Sequence, residues 1–238
     1  MAAHGGPNLS DPGLQLYIDP INPKSYPGSG TTVYDLSGNG RHGTLTSSTA
    51  ASAGYFGFTN SSMSITFSSF NIADNKTLSF WIKTDRPLSV TDNWEIGFLN
   101  SSFNYGTMFG MMYGVGECQD LGYWGYGGPY DMSVEAVNNA WSSDGNWHNC
   151  VITYDSSRVV RVWIDGVQKR WLLHSNYSTL SYTVTMLATT NIFYIHSRGS
   201  WDGGHTYVHL SEVAVWNRDL SDAEIVQNFN ATKTRFGL

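Results

Sequence analysis

At 238 residues the chain is long for one domain yet within the reach of a single β-sandwich, and it can bury a substantial core. With 13 Lys and Arg against 19 Asp and Glu, a formal net charge of -6 and no basic run, it lacks the clustered cations that phosphate backbones require, which argues against nucleic acid as a partner. An aromatic content of 14% excludes wholesale disorder, and no apolar stretch reaches the length of a membrane-spanning helix.

Residues 1–12 contain Gly5-Gly6, Pro7 and Pro12 without periodicity, and read as an extended N-terminal arm ahead of a single domain over 13–238. Met1 to Pro7 has neither the charged start nor the apolar core of a signal peptide. The arm is expected to dock on its own domain or on a neighbouring subunit, because a free terminus frays unless something holds it. From Gly13 a strand begins, with Leu14, Leu16 and Ile18 on one apolar face and Gln15 and Tyr17 between them. Asn22-Pro23-Lys24 and Tyr26-Pro27-Gly28-Ser29-Gly30 then break the pattern. Further strands are expected at 62–67, 77–84, 94–100, 106–114, 147–154, 158–165, 191–196 and 206–217, between clusters of Gly, Asn, Asp and Ser.

The clearest hairpin joins Trp147–Tyr154 to Val159–Asp165, where Asp155 can accept from the backbone ahead of it and Asp165-Gly166 supplies the next reversal. Between these segments, Leu121 to Tyr130 is rich enough in Gly to read as a loop carrying aromatic rings. Near the end, Ser221-Asp222-Ala223-Glu224 is a capping box that opens a short helix at about 222–231, with Ile225, Val226 and Phe229 as its apolar stripe. Many short strands and one C-terminal helix give an all-β fold, a two-sheet antiparallel sandwich.

Three segments in this order resemble one known family. They are Leu14 to Leu45, with Tyr34-Asp35-Leu36-Ser37-Gly38-Asn39-Gly40-Arg41-His42-Gly43; Trp147-His148 through Tyr154-Asp155 to Ile164-Asp165-Gly166; and Leu210 to Ile225, with Trp216-Asn217-Arg218-Asp219-Leu220-Ser221. Together they resemble the laminin-G-like (LamG) jelly-roll domain of the concanavalin A-like lectin/glucanase superfamily, of the type found in phage and bacterial surface proteins. The resemblance implies a concanavalin A-like jelly roll with its first and last strands adjacent. It further implies a non-catalytic, lectin-like surface protein, such as a decoration or tail component of a phage virion. Its expected place is the virion surface or an extracellular-facing particle. Its expected partners are other structural subunits, engaged through the N-terminal arm, and cell-surface glycans; a homo-oligomer fits the same picture. A dedicated carbohydrate-binding module is the alternative, and a glycoside hydrolase a third reading.

Candidate sites follow from residue chemistry. Glucanases on this scaffold resemble one another in a Glu-x-Asp-x-x-Glu strand, and none of Glu95, Glu117, Glu135, Glu212 and Glu224 has the Asp two residues on, so no catalytic residue is assigned. No cofactor is expected. Asp35 and Asn39 read as builders of a structural turn, with oxygens of Asp19, Asp35 and Asn39 around a calcium ion as the alternative. His148 reads as a satisfied sandwich residue, and Cys118 and Cys150 as reduced, inert thiols. The ligand-binding candidates are Tyr123, Trp124, Tyr126, Tyr130, Trp141 and Trp201. Flat rings on Gly-rich segments either cap the open end of the sandwich or bind sugar faces and protein partners.

Overall fold

The computed structural model describes residues 9–46, 54–58, 64–68, 76–84, 93–100, 108–113, 119–124, 132–134, 144–157, 159–169, 171–173, 177–179, 182–183, 191–198 and 208–238. Among these residues eighteen strands form three sheets, and every pairing is antiparallel. The larger sheet runs β1 (Leu14–Ile18), β18 (Val208–Trp216), β6 (Lys76–Thr84), β11 (His148–Tyr154), β12 (Val159–Ile164), β13 (Val167–Lys169). In it β4 (Phe56–Phe58) also pairs β18, and β16 (Tyr182–Thr183) also pairs β12. The second sheet runs β2 (Thr32–Val33), β3 (Gly43–Thr46), β5 (Ser64–Phe67), β17 (Asn191–Arg198), β7 (Asn93–Asn100), β8 (Met108–Tyr113), β9 (Gln119–Trp124). A three-stranded sheet of β10 (Met132–Val134), β14 (Trp171–Leu173) and β15 (Tyr177–Thr179) completes the set. This is the expected jelly roll, with first and last strands paired.

Strand alternation drives the packing. Leu78, Phe80 and Ile82 of β6, Cys150, Ile152 and Tyr154 of β11, and Val160, Val162 and Ile164 of β12 face Leu45, Ile65, Ile96, Phe193 and Ile195 of the second sheet in one buried cluster. Each such side chain contributes about 1.5–3 kcal/mol by leaving water. One expectation fails at β1: a bulge lies between Leu14 and Leu16, so Leu14 sits on the opposite face from Leu16 and Ile18 and packs with Tyr17, Ala214 and Trp216. The extra residue of a bulge shifts the alternation by one, which flips the side chain. A second irregularity, between Ser211 and Ala214 in β18, contains Glu212 at φ 42.

The outer face of the larger sheet is covered by the end of the chain. The capping box starts α1 (Asp222–Thr232) as expected, with Glu224 N–H donating to Ser221 Oγ and Ser221 N–H to Glu224 Oε2. Ile225 is buried, whereas Val226 is exposed and lies off the expected stripe. After the helix, a short 3-10 segment, Lys233–Phe236, folds back. Trp81 stacks on Phe229 and, at 4.0 Å between ring centroids, on Phe236, while its indole N–H donates to Thr232 Oγ1. Arg218 clasps Glu224 of the helix and Asp11, so the residues just before β1 and the start of α1 are fastened at one place. On the outer face of the second sheet Thr44, Thr46 and Thr66 are exposed.

Candidate functional site

Register, more than any single residue, defines the candidate site. Ile65, Ile96, Phe193 and Ile195 point into the core, so the positions alternating with them lie on the outer face of the second sheet. Directly paired positions share a face, and three rows result. The central row is Thr44, Thr66, Tyr194, Gly97, Gly110, Gly122, with three glycines on three neighbouring strands. On one side runs the row Ile192, Leu99, Met108, Trp124, apolar throughout. On the other runs His196, Glu95, Met112, Asp120.

A glycine in a strand has no side chain above the pleat, so it lets a ligand approach the backbone. With strands about 4.8 Å apart and paired residues about 7 Å from the next pair on the same face, the glycines make a stretch of bare backbone about 10 Å long between the two flanking rows.

This geometry divides the aromatic candidates. Tyr123 and Trp124 are in β9, where a Gly-rich loop was expected; antiparallel pairing with β8 holds Leu121 to Trp124 extended despite Gly122. Being neighbours on a strand, they take opposite faces. Tyr123 lies in the core-side row with Phe109, Phe98 and Phe193, and Trp124 in the apolar outer row. Tyr126, Tyr130, Trp141 and Trp201 lie outside the described residues. The glycine row itself escapes sequence reading, since Gly97, Gly110 and Gly122 are far apart in the chain. The available signal is one mid-strand glycine in each of three successive strands.

The Asp35 turn is built from protein donors. Asp35 Oδ1 accepts from the Tyr17 and Ser37 N–H groups, and Oδ2 from the Ser37 hydroxyl and the Arg41 N–H. Asn39 Nδ2 donates to the Leu14 carbonyl. Asp19, the third oxygen source considered for calcium, receives the Arg235 guanidinium at 2.9 Å on both oxygens. The carboxylates are therefore committed to N–H and O–H partners, and among the described residues no cluster of three metal-ligating side chains occurs.

His148 is held between two acids, with Nδ1 2.7 Å from Asp165 and Nε2 3.2 Å from Asp144. Burial pushes its pKa down, but the Asp165 and Asp144 carboxylates outweigh burial and raise it. The turn it braces uses Asp165 and Gly166 at φ 54 and 73, as the Asp-Gly pair implied. Cys150 is fully buried and free, and burial raises its thiol well above the ordinary range; Cys118 lies outside the described residues.

The chain belongs to the concanavalin A-like lectin/glucanases superfamily, whose laminin G family model matches residues 58–226. No curated protein matches it significantly in sequence. Among solved structures it is similar to the binding domain of Paraclostridial Mosquitocidal Protein 1 (TM-score 0.57, 15% identity, 94% of this chain and 53% of that one). It is also similar to the botulinum neurotoxin serotype D ligand binding domain in complex with N-acetylneuraminic acid (TM-score 0.58, 14% identity, 92% and 50%). A third is Trypanosoma rangeli sialidase (TM-score 0.55, 13% identity, 96% and 34%). The chain spans about half the length of the toxin domains and a third of the sialidase, and at these identities the likeness is one of fold.

Proposed function

We propose that this lectin-like domain is a non-catalytic binding protein that receives a saccharide chain along the row Gly97, Gly110, Gly122. The observation that carries the reading is the register: a stretch of backbone without side chains between an apolar row ending in Trp124 and a polar row containing Glu95 and Asp120. A pyranose has one face of C–H groups and a rim of hydroxyls, so it suits a site with one apolar and one hydrogen-bonding wall. The two acids and the net charge of -6 favour an uncharged sugar.

Glycoside hydrolysis requires carboxyl groups on both sides of the scissile bond. Glu95 and Asp120 lie in the same wall with Met112 between them, and the facing wall is apolar, which favours binding over cleavage. The toxin binding domains among the structural neighbours agree with that preference.

The fuller form of the proposal is display on a particle surface such as a virion, with the N-terminal arm engaging neighbouring subunits. The resemblance of the segments 14–45, 147–166 and 210–225 to domains of phage and bacterial surface proteins supports it.

The test is retention of the protein on a panel of immobilised oligosaccharides, with assay of released reducing ends. Wild type retains on at least one neutral glycan and releases no reducing ends; Gly110→Val, which fills the floor, and Trp124→Ala, which strips one wall, both lose retention. Retention on no glycan defeats the binding reading, and released reducing ends defeat its non-catalytic part.

A further inference from the structure

The rows that define the candidate site continue beyond the glycines to the opposite edge of the second sheet. Thr66 leads through Thr44 of β3 to Thr32 of β2, so the central row crosses all seven strands, about 29 Å at about 4.8 Å per strand. Val33, Leu45 and Ile65 point into the core, and Thr32, Thr44 and Thr66, which alternate with them, are exposed. Two residues on from Thr32 stands Tyr34, and two before Thr44 stands His42. Both fall on the side of the central row that carries Ile192, Leu99, Met108 and Trp124. That flanking row thus has aromatic residues at each end, Tyr34 with His42 beside β2 and β3, and Trp124 in β9.

Tyr34 is an exposed ring on a fixed backbone. Its side is open, at 43% exposure, yet its N–H donates to the Ser25 carbonyl at 2.7 Å and its carbonyl accepts from the buried Ser25 hydroxyl at 2.8 Å. His42 meets it edge-on, 5.3 Å between ring centroids. The Asp35 N–H donates to His42 Nδ1, which leaves the proton of the neutral imidazole on Nε2 as a donor. Threonine is an ordinary residue of an exposed strand, so three hydroxyls alone mark nothing. A ring pair held in register with them does, because a ring fixed before binding loses little freedom when a ligand stacks on it. Thr32, Tyr34, His42, Thr44, Thr66 and Ser68 bring no carboxylate, ammonium or guanidinium, so this end of the face suits an uncharged ligand.

From this alignment we infer that Tyr34, His42, Thr32 and Thr44 form a second saccharide subsite, and that the domain takes a long, linear, uncharged chain laid across all seven strands. The inference rests on the reading of Gly97, Gly110 and Gly122 as the first subsite. A β-1,4-linked pyranose chain advances by about one strand spacing per sugar, so the glycine stretch takes about two or three sugars and the full row about six or seven. Tyr34 stacks on the far end of that chain, while the His42 Nε2–H and the threonine hydroxyls meet its hydroxyl rim. Chains too short to reach from Trp124 to Tyr34 miss the second subsite, and longer ones gain by being held at both ends.

Calorimetric titration with β-1,4-linked gluco-, manno- and xylo-oligosaccharides of increasing length, from about two to about seven sugars, tests this. For the series bound best, the wild-type Kd is expected to fall at least about tenfold from the short glycine-length chains to the longest. Tyr34→Ala is expected to bind the short chains as wild type does and to lose about threefold to tenfold on the longest. Thr44→Arg, which sets a long side chain in the central row, is expected to lose at least as much on the longest chains. Both positions are exposed, and thermal melts matching wild type show that the variants are folded. Trp124→Ala, by contrast, weakens every length. A wild-type Kd that stays flat with length, or a Kd for the longest chains that neither Tyr34→Ala nor Thr44→Arg changes, overturns the second subsite and leaves the first standing. Binding of no series at any length overturns it too, and the immobilised glycan panel then decides whether the first subsite survives.

Discussion

Replacing Asp35 decides whether its turn is held by the protein or by an ion. Its carboxylate accepts from three backbone N–H groups, those of Tyr17, Ser37 and Arg41, and from the Ser37 hydroxyl. Asp35 is buried, at 8% exposure, so Asp35→Ala strands donors that water reaches poorly. At roughly 1 kcal/mol for each of the three N–H groups, discounted little because the acceptor is charged, the loss is about 3 kcal/mol. Asp35→Asn keeps one acceptor oxygen and presents an N–H₂ to the other donors, for a loss of about 1–2 kcal/mol.

Urea denaturation with and without calcium measures both effects. A calcium ion bound only by the folded state would add about 2.7 kcal/mol at a hundredfold excess over its Kd. The expected result is the ordering wild type, Asp35→Asn, Asp35→Ala, unchanged by calcium. A wild type stabilised by calcium, with both variants insensitive to it, would refute the assignment of Asp35 to protein donors.

Two further tests probe the supports of the fold. Arg218→Ala removes the shared partner of Asp11 and Glu224 and should cost about 1 kcal/mol, as expected of a partly exposed ion-pair network. The Arg218 hydrogen bond, acting against burial, holds Glu224 down at about 2, so its contribution is present above the ordinary value of 4.5 and lost as the pH falls through about 2; acid unfolding of Arg218→Ala should begin at higher pH. Asp165→Asn leaves an acceptor for the Asn149 N–H but removes the charge beside His148. Because the His148 pKa is raised on folding, its stabilisation is complete below its ordinary value of 6.5 and fades as the pH rises through the folded value. Asp165→Asn should therefore cost about 1–2 kcal/mol at pH 5.5 and less at pH 9, as read by thermal melts at the two values; an equal cost at both would remove the charge from the explanation.

Most of the fold is legible because half-buried strands write their period into the sequence. The expectations at 77–84, 94–100, 147–154 and 206–217 overlap β6, β7, β11 and β18 closely. The capping box was equally plain, since Ser221 and Glu224 make their contacts within four residues. What escaped depended on partners remote in sequence. The bulge that turns Leu14 away from Leu16 is a property of the β1–β18 ladder. Gly122 reads as a loop residue until β8 pairs alongside it. The exposure of Val226 depends on how α1 rolls onto Trp81 and Trp163. The candidate site was the least legible part: Trp124 was visible as an exposed-ring candidate, but the glycine floor beside it exists only in the register of three strands.

The binding reading stands or falls on where a sugar touches the protein. Titrating an uncharged oligosaccharide retained by the domain into isotope-labelled protein, and following backbone amide resonances, locates the contact. The account predicts that the largest shifts fall on Gly97, Gly110, Gly122 and Trp124 and their strand neighbours. Shifts confined to the larger sheet, to the Asp35 turn or to the C-terminal segment, with β7 to β9 silent, would contradict it.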